Sequence, residues 1–116
     1  MRVLVVDDDA DIAAVISRIV KHLGHDAVTC VDPVEAIGRA GEDFAVVIAD
    51  YHMPVTGIAV LMAFQAASPD CYRVLLTAAI IGPAIRKAQA SGVVHCVLQK
   101  PVTIAELNGL LNDVER

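Results

Sequence analysis

Val3-Leu4-Val5-Val6-Asp7-Asp8-Asp9 is an unbroken apolar run of four residues, three of them β-branched, that passes directly into three aspartates. A run of strand length without polar alternation suits a strand buried on both faces, and the carboxylates then stand where that strand leaves its sheet. The residues beyond are helical in period. Ile12, Val15, Ile16, Ile19, Val20 and Leu23 recur at the spacing of one helix face, and Gly24 is placed to end it. A buried strand, a polar end and an amphipathic helix make one βα unit, and the rest of the chain repeats that order.

Further apolar runs lie at 27–30, 45–49, 74–76 and 95–98. A second helix starts at Asp32-Pro33-Val34-Glu35, where a capping aspartate, a first-turn proline and a following acid agree, and Gly41 marks its expected stop. A third helix is expected over about 58–67, and a fourth over about 83–91 with Gly92 ending it. The last opens on the capping box Thr103-Ile104-Ala105-Glu106 and continues with Leu107, Leu110, Leu111 and Val114 at core spacing. Strict alternation of apolar strands and helices predicts an α/β protein: a five-stranded parallel sheet with helices on both faces. At 116 residues the whole chain, 1–116, reads as a single domain.

Composition narrows the function classes. With 56% hydrophobic residues and a mean hydropathy of +0.60, the chain is the opposite of a disordered one. The uncharged stretch 51–69 is interrupted by His52, Pro54, Thr56, Gly57 and Gln65, whereas a spanning helix needs about 20 mostly apolar residues. Met1-Arg2 leads straight into the first strand rather than into a secretory signal, so a cytoplasmic location is expected. Cys30, Cys71 and Cys96 form no C-x-x-C pair and read as reduced, buried apolar residues, and the histidines lack metal-ligand spacing. A net charge of −5, with no basic cluster longer than Arg86-Lys87, argues against nucleic acid as a direct ligand.

Ligands of an open parallel sheet bind beyond the carboxyl ends of its strands. Four of the five predicted ends carry chemistry: Asp7-Asp8-Asp9, Asp50, Thr77 and Lys100-Pro101. Two carboxylates about 4 Å apart repel by about 4 kcal/mol at an effective dielectric near 20, so such a group calls for a cation. All-oxygen ligands suit Mg²⁺ rather than zinc. A lysine and a hydroxyl converging there would stabilise phosphoryl oxygens. Each residue also has a plainer reading: Asp8 or Asp9 as a helix cap, Asp50 in a turn, Thr77 at a strand end, Lys100 as a solvated charge. Their coincidence at one edge favours a site.

Val5-Val6-Asp7-Asp8-Asp9, Asp50-Tyr51-His52-Met53-Pro54, Leu75-Leu76-Thr77-Ala78 and Lys100-Pro101, in this order and at these spacings, resemble the receiver domains of two-component response regulators over essentially the whole chain. The resemblance implies a doubly wound, flavodoxin-like (βα)5 fold and a phosphorylation switch. It makes Asp50 the acceptor of a phosphoryl group from a sensor histidine kinase or phosphotransfer protein. Asp7 and Asp8 then hold Mg²⁺ with Asp50 and the backbone carbonyl of His52, while Asp9 starts the first helix. Thr77 and Lys100 bind phosphoryl oxygens, with the Lys100–Pro101 peptide bond cis. Such a domain assists its own phosphorylation and dephosphorylation without turning over an external substrate. It signals to a downstream output domain or protein, through the face of the fourth helix, fifth strand and fifth helix.

The sequence departs from the family in three places. Val97 stands where an aromatic usually swings with the threonine, Met53-Pro54-Val55-Thr56-Gly57 is one residue short of the usual loop, and that loop lacks its acid; His52, two residues past the acceptor, either tunes loss of the phosphoryl group or is a solvated loop histidine. The apolar stretch Ala78-Ala79-Ile80-Ile81-Gly82-Pro83, with Val93, Val94 and Val97, reads either as core or, where exposed, as a sticky face with a homodimer through the fourth helix, fifth strand and fifth helix. Two other readings stand beside the receiver. One is a haloacid dehalogenase-type phosphatase recruiting Asp7-Asp8-Asp9, Thr77 and Lys100, which leaves Asp50 and Met53-Pro54 without a purpose. The other is a degenerate receiver that serves only as an interaction module.

Overall fold

The computed structural model describes residues 1–78 and 80–116; Ala79, part of the apolar stretch noted above, lies outside the described residues. The elements are β1 (Arg2–Val6), α1 (Ala10–His22), β2 (Asp26–Cys30), α2 (Pro33–Gly38), β3 (Val46–Asp50), α3 (Gly57–Ala67), β4 (Tyr72–Thr77), α4 (Pro83–Ala90), β5 (Cys96–Gln99) and α5 (Ile104–Glu115). All strand pairs are parallel, in the order β2-β1-β3-β4-β5. The order turns back between β1 and β3, so the ends of these two strands are neighbours, with Val6 beside Ala49. That reversal is the crevice in which open α/β sheets hold ligands.

Period-2 alternation splits the core into two layers. Leu4, Val6, Val47, Ala49 and Leu75 face one side, with Ala36 of α2, Phe64 of α3 and Ile85 of α4. Val3, Val5, Ile48, Val74 and Leu76 face the other, with Ile16 and Val20 of α1 and Leu107 and Leu111 of α5. β3 is buried at every position, and β1 and β4 at all but their first. β2 and β5, expected to be buried on both faces, are half-exposed because each has a neighbour on one side alone. Among the described residues no helix is long and apolar enough to cross a membrane.

The capping signals hold where they are local. Asp9 accepts from the N–H groups of Asp11 and Ile12, Asp32 from Val34, and Thr103 and Glu106 close the expected box. Gly41 does not end α2. The helix stops at Gly38, and Ala40 and Glu42 donate back to Ile37 and Arg39 in tight turns braced by Arg39 hydrogen bonds of 2.8 and 3.0 Å to Glu42. Gly92, at φ +79, ends α4 as expected. The expected sticky face contracts: Val93 and Val94 are core residues, Ile81 and Val97 pack partly against the core, and among the described residues Ala78, Ile80 and Pro83 are exposed, Ile80 by 91%.

β4 starts two residues earlier than the apolar run suggests and so contains Arg73, which is only 3% exposed. Its Nε donates to the Val93 carbonyl, Nη1 to those of Cys71 and Pro69, and Nη2 to that of Gly92, at 2.9 to 3.0 Å. Nη2 also lies 3.2 Å from Nε2 of His95. Carbonyl dipoles satisfy a cation that burial alone would make very unfavourable. The Arg73 N–H donates to Nδ1 of His95 at 3.0 Å, and the His95 N–H returns a bond to the Arg73 carbonyl at 2.9 Å.

Burial, then the Arg73 guanidinium, hold the His95 imidazole below its usual pKa. As pH falls through about 6.5 the unfolded chain takes up this proton before the folded one, so the His95 contribution to stability is present above that pH and declines below it. We expect urea unfolding to show this decline between about pH 7 and 5, and His95→Gln to flatten it by less than about 1 kcal/mol, since the ring is partly exposed. An unchanged pH profile in the variant would contradict the assignment.

Candidate functional site

The carboxyl edge of the sheet brings the predicted residues together. Asp7 directly follows β1, and its N–H donates to the Cys30 carbonyl at 3.1 Å, so β2 holds it in register. Its side chain is 1% exposed; one oxygen accepts from the Asp9 N–H and the other from Nζ of Lys100, each at 3.0 Å. Asp50 closes β3, 4% exposed, with Oδ1 2.9 Å from the same Nζ. Asp8 points outward, yet one oxygen from each of Asp7, Asp8 and Asp50 falls within 4.8 Å of the others. Asp9 instead caps α1.

Thr77 ends β4, fully buried, and its carbonyl accepts the Lys100 N–H at 2.9 Å, so threonine and lysine share one backbone hydrogen bond. The Lys100–Pro101 peptide bond is cis. His52 is exposed, its ring edge-on to that of Tyr51 at 4.9 Å between centroids. The short loop folds around the Tyr51 carbonyl, which accepts from both Met53 and Gly57 at 3.1 and 3.3 Å, while the Tyr51 N–H donates to Leu76 at 2.8 Å. Thr56 caps α3 by accepting from Ala59. Gly57 has an ordinary backbone conformation but no room for a side chain: a Cβ there would collide with the Asp50 carbonyl oxygen and come within 2.9 Å of Leu75 Cδ1. The motif Met53-Pro54-Val55-Thr56-Gly57 signalled the shortened loop but not this close approach.

Three carboxylates and one ammonium leave the site negative. Burial pushes the Asp7 carboxyl above its usual pKa, against the hydrogen bonds from Asp9 and Lys100 that favour its ionised form. Burial works the other way on Lys100, but its bonds to Asp50 and Asp7 outweigh it and raise its pKa, so it stays charged. The donor set fits a hard divalent cation. Octahedral Mg²⁺ with oxygens at about 2.1 Å spaces them about 3.0 to 4.2 Å apart, close to the span of these three carboxylates. On the α1 side of Lys100 lies a shallow apolar groove of about 450 Å³ formed by Ile12, Val15, Ile16, Ile19, Pro101 and Val102.

The family model for the response regulator receiver domain matches residues 3–112. The chain is 34% identical over 121 residues to the sensory/regulatory protein RpfC of Xanthomonas campestris pv. campestris, covering 98% of the chain and 16% of that much longer protein. Among solved structures it is similar to the chemotaxis protein CheY4 of Vibrio cholerae, with a TM-score of 0.85, 28% identity and 97% of each chain covered. It shares its fold with the receiver domain of the sensor histidine kinase PA1611 of Pseudomonas aeruginosa, at a TM-score of 0.84, 22% identity, and 99% and 98% coverage. That structure holds a magnesium ion coordinated in its active site cleft.

Relief of the buried charge should make Asp7→Asn more stable than the parent in metal-free buffer, by about 1 kcal/mol or roughly 4 °C in melting temperature. Mg²⁺ at ten times its Kd should stabilise the parent by about 1.4 kcal/mol and the variant much less. A metal-free variant that melts lower, or an equal Mg²⁺ shift in both, would contradict this account. Gly57→Ala should cost about 2 kcal/mol in denaturant unfolding although alanine is the better helix former, because the clash outweighs propensity.

Proposed function

Since the chain belongs to the response regulator receiver domain family, we propose that it is a phosphorylation-dependent switch in which Asp50 accepts a phosphoryl group from a phosphohistidine of a sensor histidine kinase or phosphotransfer protein. The observation that carries the reading is the Lys100 ammonium held between the carboxylates of Asp50 and Asp7 at 2.9 and 3.0 Å. An Asp50 oxygen attacks phosphorus, the P–N bond breaks, and the imidazole leaves with the bonding pair and is protonated. The product is an acyl phosphate. Asp7, Asp8, Asp50 and the His52 carbonyl are the residues that would hold Mg²⁺, which when bound offsets the charge of the phosphoryl oxygens. Lys100 exchanges its carboxylate partners for a phosphoryl oxygen, and the Thr77 hydroxyl binds another. The groove beside Lys100 gives a protein donor an apolar footing next to the acceptor.

A phosphoryl group adds a charge of roughly −1.5 to −2 beside Asp7 and Asp8. Drawing Thr77 inward also pulls on Lys100 through their shared backbone bond, a linkage that does not need the aromatic residue Val97 replaces. The shift biases two arrangements of the α4, β5 and α5 face, read in the cytoplasm by an output domain, a separate protein or a second copy of the chain. The fold is that of signalling receivers rather than of substrate-turnover enzymes. Against a phosphatase reading, the acids beyond Lys100 lie on α5, where Glu106 serves the helix cap.

Acetyl phosphate with Mg²⁺ should load one phosphoryl group per chain, stable in acid and labile in base, and Asp50→Asn should load none. Lys100→Ala should slow loading about 10²-fold, the usual scale for one lost oxyanion donor. Equal loading of Asp50→Asn would overturn the assignment. Steady turnover of a generic phosphate ester would favour the phosphatase, and a parent chain that never loads would favour the interaction module.

A further inference from the structure

We infer that Arg73 pins the C-terminal end of α4 to the base of the sheet, making α4 a lever whose N-terminal turn is the part able to move. The two ends of this eight-residue helix are held very differently. At the C-terminal end, the carbonyls of Gly92 and Val93 accept from the buried Arg73 guanidinium at 2.9 Å, and the Ser91 carbonyl accepts from Gln65 of α3 at 3.3 Å. The N–H groups of Ser91, Val93 and Val94 return to Lys87 and Ala88, and Val93 and Val94 are buried. The remaining Arg73 donors hold Pro69 and Cys71, so the turn before β4 and the turn before β5 form one block around a single side chain.

Among the described residues the N-terminal end is held by apolar packing of Ile81 and Ile85 and not by side-chain hydrogen bonds. Its cap is Gly82, which makes no side-chain hydrogen bond, Pro83 has no N–H to donate, and Ile80 just before it is 91% exposed. The helix's buried residues are Ile85, in the first turn, and Ala88, so the first turn is seated by an apolar contact that can slide while the far end is fixed by directional hydrogen bonds. Arg73 and Thr77 are four residues apart on β4, about 13 Å, so the fixed end lies at the opposite edge of the sheet from Asp50 and the mobile end on the same side as the site. The coupling of this lever to phosphorylation rests on the function proposed above; the pinning itself does not.

Residue-resolved amide hydrogen exchange tests it. In the unmodified chain, the Arg86 and Lys87 amides should exchange about tenfold or more faster than those of Ser91, Val93 and Val94. Arg73→Met should remove most of that difference by exposing the C-terminal amides. Arg73→Lys, which keeps the charge but lacks the fork, should remove part of it and serves if the methionine variant does not fold. C-terminal amides that exchange as fast as N-terminal ones in the parent, or keep full protection in the folded variants, would overturn the inference. After loading with acetyl phosphate, verified by mass, exchange should change at residues 80–87 and hold at 91–95. Equal change in both segments also overturns it. A chain that takes up no phosphoryl group speaks against the phosphoacceptor reading, while the unmodified gradient still decides the role of Arg73.

Discussion

Lys100 and Asp7 stand 93 residues apart in the chain and 3.0 Å apart in space, and the same ammonium reaches Asp50 at 2.9 Å. This contact needs the whole sheet. β5 has to pair beside β4, β4 beside β3 and β3 beside β1 before the lysine can meet both carboxylates. Until then Asp7 and Asp50 would face each other across neighbouring strand ends with repulsion and desolvation uncompensated. Chain topology and site electrostatics therefore support each other.

The parts legible in the sequence are those set by local physics. The apolar run ending in Asp7, the Thr103–Glu106 box and Asp32 ahead of Pro33 each depend on neighbours within a turn or two, and each falls where expected. The site was legible for a related reason: in a parallel sheet, strand ends share one edge whatever lies between them. Illegible features depend on distant atoms. Arg73 is a charge just outside the apolar run 74–76, and only carbonyls from Pro69 to Val93 make its burial in the strand tolerable. Gly57 looks like a loop glycine, and its real constraint is the Asp50 carbonyl seven residues earlier. Val93 and Val94 looked like surface because nothing local told which side of the turn would meet the core.

Burial of Val93 and Val94 gives the α4 side of the molecule one anchored end. Val93 and Val94 are buried at one end of α4, and the large exposed apolar side chain of the stretch, Ile80, lies just before its other end. Attachment and exposure are thus separated along one short helix. Val97 packs against the core cluster of the α2, α3 and α4 layer, and a backbone bond joins Thr77 to Lys100 beside it.

The sheet also divides the molecule into sides that need not compete. The groove next to Lys100 is walled by α1 and the segment after β5, whereas α4 lies over the opposite layer, against Leu75 and Val97. A molecule seated in the groove leaves α4 uncovered, and one gripping the N-terminal turn of α4 leaves the groove open. On the function proposed above, one copy can be loaded on the groove side and read on the α4 side at the same time, without one visitor having to depart before the next arrives.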